Sequence, residues 1–266
     1  MASRQDKSKT LRLWWLGQSG YLVQFQSRHL LIDPYLSDSL TTKYAATDKP
    51  HVRMSRRVID PARLDFIDAL TASHQHTDHL DPPTLRALVA ANPRIQIVAP
   101  AAHADLAAER TGLPVKRLHL VNDGDELSLA NKAVTLTALP SAHDQLERDA
   151  AGNHKFLGYI FRAGPWIIYH SGDTVRYIDL AERLRTFHLD LAILPINGKV
   201  GNMNGTDAAY LAHDVSAKLV LPCHYDMFEF NTADPQAEFV PTCDRLGQPH
   251  RILQLGERLT LSPTPA

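Results

Sequence analysis

The sequence contains little cysteine, no excess charge of either sign and no long apolar run. Its only cysteines, Cys223 and Cys243, have no recognisable spacing, which argues against a disulfide framework and fits a reducing compartment. The formal net charge of −1 gives no general attraction to nucleic acid or to membranes. No run approaches the roughly 18 apolar residues of a membrane span, and no apolar segment of a signal peptide follows the polar start. We therefore expect a cytoplasmic protein that binds neither membranes nor nucleic acid.

Length and composition fit one large globular unit. The chain has 266 residues, 44% of them hydrophobic and 21% charged, which is typical of a protein that buries a substantial core. This length exceeds the usual prior of about 150 residues per domain, but layered α/β folds often reach about 250 as one unit. Because no Ser/Gly/Pro-rich linker divides the chain, we predict a single domain over residues 1–266.

Histidine is the residue in excess, with 14 copies, and its distribution indicates a metal site. Directly after an apolar run, His74, His76, Asp78 and His79 fall within six positions. Neutral imidazole and carboxylate are the nitrogen and oxygen ligands that zinc and manganese accept. A polar, solvated loop is the alternative interpretation, but the His-x-His-x-Asp-His spacing favours metal ligation.

Three further candidate ligands occupy the same kind of position. His143, Asp173 and His224 each follow an apolar stretch, where a buried strand is expected to emerge at a sheet edge. Open α/β sheets place their sites at such edges. Taken singly, each residue could be a cap or a hydrogen-bonded polar group. The repetition favours a common site with two ions, which together need about seven protein ligands.

The element pattern indicates an α/β protein. A β-meander is predicted at residues 11–16, 21–26 and 29–32, and a further strand at 66–72 leads into the histidine motif. Proline at the start of the next helix, near Asp81, suits the first helical turn. Further strand and helix pairs are predicted, in chain order, at 95–99 and 101–110, at 191–194 and 206–214, and at 219–221 and 235–246.

From about Leu11 to Leu259, the chain resembles the metallo-β-lactamase superfamily, whose ligands occur in this same order. The resemblance implies a four-layer αββα sandwich and assigns the ligands as follows. His74, His76 and His143 would hold one ion, Asp78, His79 and His224 the other, and Asp173 would bridge them.

Four shorter motifs resemble the ascorbate-6-phosphate lactonase branch of that superfamily. They cover residues 169–173, 194–198, 222–226 and 233–236. The chain departs from the branch by retaining a histidine at position 143, which favours two fully ligated ions and weakens the assignment of a lactone substrate. The resemblance also suggests a homo-oligomer, although no sequence feature requires one.

The predicted metals suggest a mechanism. Two zinc or manganese ions about 3.5–4 Å apart can share a water and convert it into a hydroxide nucleophile near neutral pH. Asp78 and Asp173 would be the catalytic residues that orient this hydroxide and take up its proton. Asp33 is a candidate partner for a ligating imidazole, although a turn-forming Asp-Pro explains it equally well.

Candidate substrate-binding residues lie in three places. Arg53 and Arg57 belong to a basic segment, residues 43–57, which could hold a phosphate or carboxylate, or could be a solvated loop. Asn197 and Lys199 lie in a loop that follows a buried strand and is expected to line the pocket. Tyr225 is adjacent to a proposed ligand, although strand alternation would direct it away from the metals.

The sequence thus predicts a metal-dependent hydrolase that cleaves a small anionic ester, with a lactone or sugar-phosphate lactone ahead of a phosphodiester. A phosphodiesterase or nuclease would keep the same ligands, but the near-neutral charge and the lack of a nucleic-acid module oppose a nuclease. A di-iron redox protein and a non-catalytic metal-binding module are the alternatives from other classes.

Overall fold

The computed structural model describes residues 9–263, which form strands, α-helices and short 3-10 helices. The strands are β1 (Leu11–Gly17), β2 (Gly20–Phe25), β3 (Arg28–Ile32), β4 (Ala69–Thr71), β5 (Gln96–Pro100), β6 (Leu118–Val121), β7 (Glu126–Leu129), β8 (Val134–Pro140), β9 (Leu157–Ala163), β10 (Trp166–His170), β11 (Leu191–Pro195), β12 (Val220–Cys223) and β13 (Arg258–Leu261). The α-helices are α1 (Ser39–Tyr44), α2 (Pro82–Ala91), α3 (Ala104–Thr111), α4 (Leu180–Arg185), α5 (Gly205–Asp214) and α6 (Phe239–Leu246). The 3-10 helices span Pro61–Arg63, Ala101–His103, Val115–Arg117 and Glu229–Asn231.

The strands form two mixed sheets. The first has the order β13-β1-β2-β3-β4-β5-β6, in which β1 to β3 form the predicted antiparallel meander and β3 to β6 are parallel. The second has the order β12-β11-β10-β9-β8-β7, antiparallel from β7 to β10 and parallel from β10 to β12. Strands β8, β10 and β12 therefore run in the same direction, and their carboxyl ends lie along one edge.

Side-chain alternation along the strands explains how the layers pack. In β1 and β3, Leu13, Trp15 and Ile32 belong to the core that is shared with the second sheet. Leu16 and Leu31 lie on the opposite face and pack with α2 and α3. Helices α5 and α6 pack on the far side of the second sheet. This arrangement confirms the predicted αββα sandwich.

Two predicted elements begin later than expected. The strand predicted over residues 66–72 is shortened to β4, and just before it the Asp68 carboxylate accepts hydrogen bonds from the backbone N–H of His29 and from Arg28 Nη1. The helix predicted over residues 235–246 begins at Phe239, after a turn. Within the described part of the chain the longest helices have 10 residues, so none is long enough to cross a bilayer.

Candidate metal centre

The loop that follows β4 carries four of the predicted ligands, and hydrogen bonds hold its backbone in place. Within it, the backbone N–H groups of His79 and Leu80 both donate to the carbonyl oxygen of His76. Arg110 Nη1 reaches over from α3 and donates to the carbonyl oxygens of Gln75 and Leu80. The loop ends at Asp81, whose carboxylate caps α2 by accepting from the N–H of Thr84 at 3.1 Å. The histidines therefore lie on a loop whose backbone conformation is fixed by hydrogen bonds.

The other three ligands arrive from the second sheet. His143 follows β8, Asp173 follows β10 and His224 follows β12. The chain leaves two of these strands through a residue with left-handed backbone. The φ angle is +59° at Gly172, after β10, and +61° at His224, after β12. A Cβ on Gly172 would lie 2.7 Å from the Cβ of Ser73, so the turn before Asp173 fits against the histidine loop only because it lacks a side chain.

All seven predicted ligands come together where the two sheets meet. The potential ligand atoms form three groups, within each of which they lie no more than 4.8 Å apart. These groups are Asp78, His79 and His224; His76, His143 and Asp173; and His74, His79 and Asp173. The first matches a predicted ligand set. The other two share Asp173, which places that carboxylate at the centre of the cluster.

Two orphaned atoms show that the cluster fits a divalent cation. His79 Nε2 and Asp173 Oδ1 lie 3.2 Å apart, both are buried, and neither has a hydrogen-bond partner. Leaving buried polar atoms unpaired costs about 1–3 kcal/mol each. A nitrogen and oxygen donor set of this kind suits zinc, manganese or iron. The residues present therefore fit the metal ions that the sequence predicts.

The carboxylates and imidazoles of the cluster shift one another's pKa values. Burial opposes protonation of His224, but the nearby Asp173 and Asp78 carboxylates outweigh it and raise its pKa to about 9. The same balance raises the pKa of His79 well above its ordinary value. Burial and the neighbouring His79 lower the pKa of His74. The buried carboxylates therefore favour the protonated form of the His79 and His224 imidazoles, so protons and a divalent ion compete for these ligands.

Asp33 fixes the ring orientation of two histidines. Its carboxylate accepts from His79 Nδ1–H at 2.7 Å and from the Ser73 hydroxyl. Since that hydroxyl is already donating, His74 Nδ1–H donates to it at 3.0 Å. The Nε2 lone pairs of His74 and His79 are thereby left to face the cluster. The expectation that Asp33 contacts an imidazole is thus met by the geometry.

Three supporting residues were not identified from the sequence as contacts of the ligands. The Gln18 amide, from the turn between β1 and β2, donates to Asp78 Oδ2 at 2.8 Å and lies 3.1 Å from His224 Nε2. Phe156 stacks on His143, with ring centroids 4.9 Å apart. The third is Arg110, which holds the histidine loop. These contacts join distant parts of the chain, so the one local signal was the position of Gln18 in the turn Gly17-Gln18-Ser19-Gly20.

The cluster forms the floor of a cleft of about 420 Å³, but the predicted substrate residues lie outside its lining. Arg53 donates to Asp38 Oδ1 at 2.8 Å and to the Ser37 carbonyl oxygen, and Arg57 lies 3.4 Å from the same Asp38 carboxylate. Both guanidinium groups are therefore engaged with Asp38. Other members of the basic segment, Lys43 and His51, line the cleft instead.

The remaining predicted substrate residues have structural partners. The Asn197 amide donates to Asn231 Oδ1 at 2.6 Å, and Lys199 Nζ donates to the carbonyl oxygen of Phe230. Tyr225 is buried, stacks on Trp15 with ring centroids 4.8 Å apart, and does not line the cleft. A substrate contact for these three residues stays a prediction without structural support.

Comparison with known proteins places the chain in a family. Residues 12–224 match the model of the β-lactamase superfamily domain. A metal-dependent hydrolase of the UPF0173 group from Caldivirga maquilingensis is 26% identical over 224 residues, which cover 84% of this chain and 86% of the relative. A probable L-ascorbate-6-phosphate lactonase from Escherichia coli is 26% identical over 262 residues, which cover 85% of this chain and 73% of the relative.

A solved structure shares the fold. The metallo hydrolase Igni18 from Ignicoccus hospitalis superimposes with a TM-score of 0.71 at 20% identity, covering 96% of this chain and all of that one. The family match spans most of the sequence, including all seven predicted ligands, so the chain belongs to the β-lactamase superfamily domain family. Relatives of this chain are named metal-dependent hydrolases, and its histidine and aspartate side chains cluster as potential metal ligands. The chain is therefore a metal-dependent hydrolase.

Proposed function

We propose that this hydrolase cleaves a small anionic ester, with a lactone or sugar-phosphate lactone as the first substrate class and a phosphodiester as the second. One observation carries the proposal. Lys43 and Arg110 line the cleft above the cluster, and neither forms an ion pair within residues 9–263. Among the residues that the structure describes, the carboxylates lining that cleft are those of Asp78 and Asp173. The outer part of the cleft is thus suited to an anion.

We assign two zinc or manganese ions to the cluster, held by the seven ligands, with Asp173 shared. When bound, such ions lower the pKa of a coordinated water and polarise a substrate oxygen. The di-iron redox alternative would use the same ligands, and oxygen consumption by the iron-loaded protein would distinguish it. A cytoplasmic location and a homo-oligomeric state remain part of the proposal.

The chain's own residues would bind the substrate and move the proton. The carboxylates of Asp78 and Asp173 form part of the floor of the cleft and can accept the proton of an attacking water. Gln18 holds Asp78 in place through its 2.8 Å hydrogen bond. Asn202 lines the cleft with a buried amide Nδ2 that has no partner, while its Oδ1 accepts from the Thr174 N–H. A small movement of the Asn202 side chain would be needed to present this donor to a substrate oxygen.

The relatives support the same substrate class. One of them is named a probable L-ascorbate-6-phosphate lactonase, and its substrate is both a lactone and an anion. A phosphodiester also offers an anionic oxygen to Lys43. Phosphodiesters therefore belong among the compounds to be tested for hydrolysis. Against a nucleic-acid substrate stands the net charge of −1.

The test is a hydrolysis screen on protein loaded with zinc or with manganese. We expect turnover of lactones that carry a carboxylate or phosphate, and slower turnover of neutral lactones of the same size. Lys43→Ala should raise KM for the anionic lactones about 10-fold, because a hydrogen bond to a charged group is worth roughly 1.5–3 kcal/mol. Its KM for the neutral lactones should stay unchanged.

Lys49→Ala is the matched control, because Lys49 belongs to the same segment but does not line the cleft. Faster cleavage of phosphodiesters would move the assignment to the second substrate class. An absence of ester hydrolysis with either metal would contradict the proposal.

A further inference from the structure

One side of the cleft is built from aromatic rings. Tyr44 and His51 stack face to face with centroids 4.1 Å apart and planes 13° apart. His51 in turn contacts Phe230 at 4.3 Å and Phe228 at 5.2 Å. We call Tyr44, His51, Phe228 and Phe230 the aromatic wall. All four line the same cleft as Asp173.

Core packing accounts for only part of this wall. Phe228 is buried with Tyr35, Leu40 and Met227 in a small apolar cluster. Phe230, by contrast, leaves 37% of its surface exposed while it lines the cleft, and His51 is also only partly buried. A ring exposed to water gains little for folding, whereas covering it with an apolar group of a ligand is favourable.

Polar groups at the wall are already engaged, since His51 Nδ1 lies 2.9 Å from the carbonyl oxygen of Lys49. Asn231 Oδ1 already accepts from Asn197. Lys43 Nζ lies 5.0 Å from the centre of the Tyr44 ring and provides a cation at the edge of the wall. A polyhydroxylated ring would need several hydrogen-bond partners here, since unpaired hydroxyls lose their water. The wall thus suits an apolar flat group with an anion at its edge.

We propose that the aromatic wall binds an aryl group of the substrate, so that the ester cleaved at the cluster carries an aromatic ring on one side of the scissile bond and an anionic group within reach of Lys43. This inference rests on the proposed ester hydrolysis and specifies its substrate class as aryl-bearing anionic esters and lactones. The alternative within the same function is a sugar-derived lactone.

The test uses ligands that cannot be hydrolysed, so that it does not depend on turnover. Calorimetry compares phenylphosphonate with methylphosphonate, which share the anionic group and differ in the ring, on metal-loaded protein. We expect the phenyl compound to bind about 10-fold more tightly, as apolar burial and ring contacts of this kind are worth roughly 1.4 kcal/mol. Phe230→Ala should remove most of this difference and leave methylphosphonate binding within about 2-fold of wild type.

Two further variants control for non-specific effects. Phe66→Ala removes another partly exposed phenylalanine, which lies outside the cleft, and should retain the phenyl preference. Phe230→Trp keeps an aromatic surface and should retain it as well. Equal or undetectable binding of both phosphonates to wild-type protein would overturn the inference, as would a phenyl preference that persists in Phe230→Ala.

The same panel separates this inference from the proposed function. Hydrolysis of anionic lactones without any phenyl preference would leave ester hydrolysis standing and reject the aryl assignment. A phenyl preference abolished by Phe230→Ala, together with no hydrolysis of any ester, would support the aryl-binding wall and reject ester hydrolysis.

Discussion

Asp173→Asn is expected to lower kcat/KM for the best ester substrate by on the order of 10³-fold in a chain that still folds. Asp173 belongs to two of the three groups of potential ligand atoms, so its loss leaves both incomplete. The charge stabilisation that metal ions supply in hydrolysis is worth several kcal/mol, and each 1.36 kcal/mol is a factor of about ten in rate. Steady-state kinetics at saturating metal measures the effect, and circular dichroism checks the fold.

Asp179→Asn is the matched control. Asp179 lies six positions further along the same segment, is exposed, and is absent from every group of potential ligands. We expect its activity to stay within about 2-fold of wild type, as is usual for surface substitutions. A rate for Asp173→Asn within 5-fold of the wild-type rate would show that this carboxylate is not needed for hydrolysis.

Gly172→Ala is expected to destabilise the fold by about 2–4 kcal/mol. The left-handed φ of +59° is one cause, because a Cβ there costs roughly 1–2 kcal/mol. The other is overpacking, because the added Cβ would lie 2.7 Å from the Cβ of Ser73 and 2.8 Å from the Leu157 carbonyl oxygen. Urea unfolding measures the loss, and metal binding should weaken with it because Ser73 precedes the first ligand.

Gly112→Ala separates the two causes. Gly112 ends α3 with a φ of +73°, and its added Cβ would meet nothing within 4 Å. It should therefore show only the conformational cost, about 1–2 kcal/mol. Equal losses in the two alanine variants would mean that the close approach of Gly172 to Ser73 contributes nothing to stability.

The ligand cluster could be predicted from sequence because each ligand follows an apolar run that is typical of a buried strand. Strand direction and sheet order then bring the strand ends together, as His143, Asp173 and His224 illustrate. The supporting contacts could not be predicted in this way. Gln18 and His224 are separated by 206 positions, so their contact depends on how the two sheets pack, which no local pattern encodes.

The substrate residues show a second limit of sequence reasoning. Arg53 and Arg57 were selected for their charge, but charge does not indicate which way a side chain points, and Asp38 binds both. Tyr225 packs on Trp15, but strand alternation does not explain its direction, because β12 ends at Cys223 and His224 has a left-handed φ of +61°. The aromatic wall was missed because its rings come from segments near residues 44 and 230.

The metal content of the protein, measured by elemental analysis without added metal, tests the central claim most directly. It should be measured on wild type and on His143→Ala, since His143 supplies one ligand atom to the group that contains His76 and Asp173. A dinuclear centre predicts about two zinc or manganese ions per wild-type chain and about one in the variant. One ion in both proteins would exclude His143 as a ligand, and no ion in wild type would contradict the account as a whole.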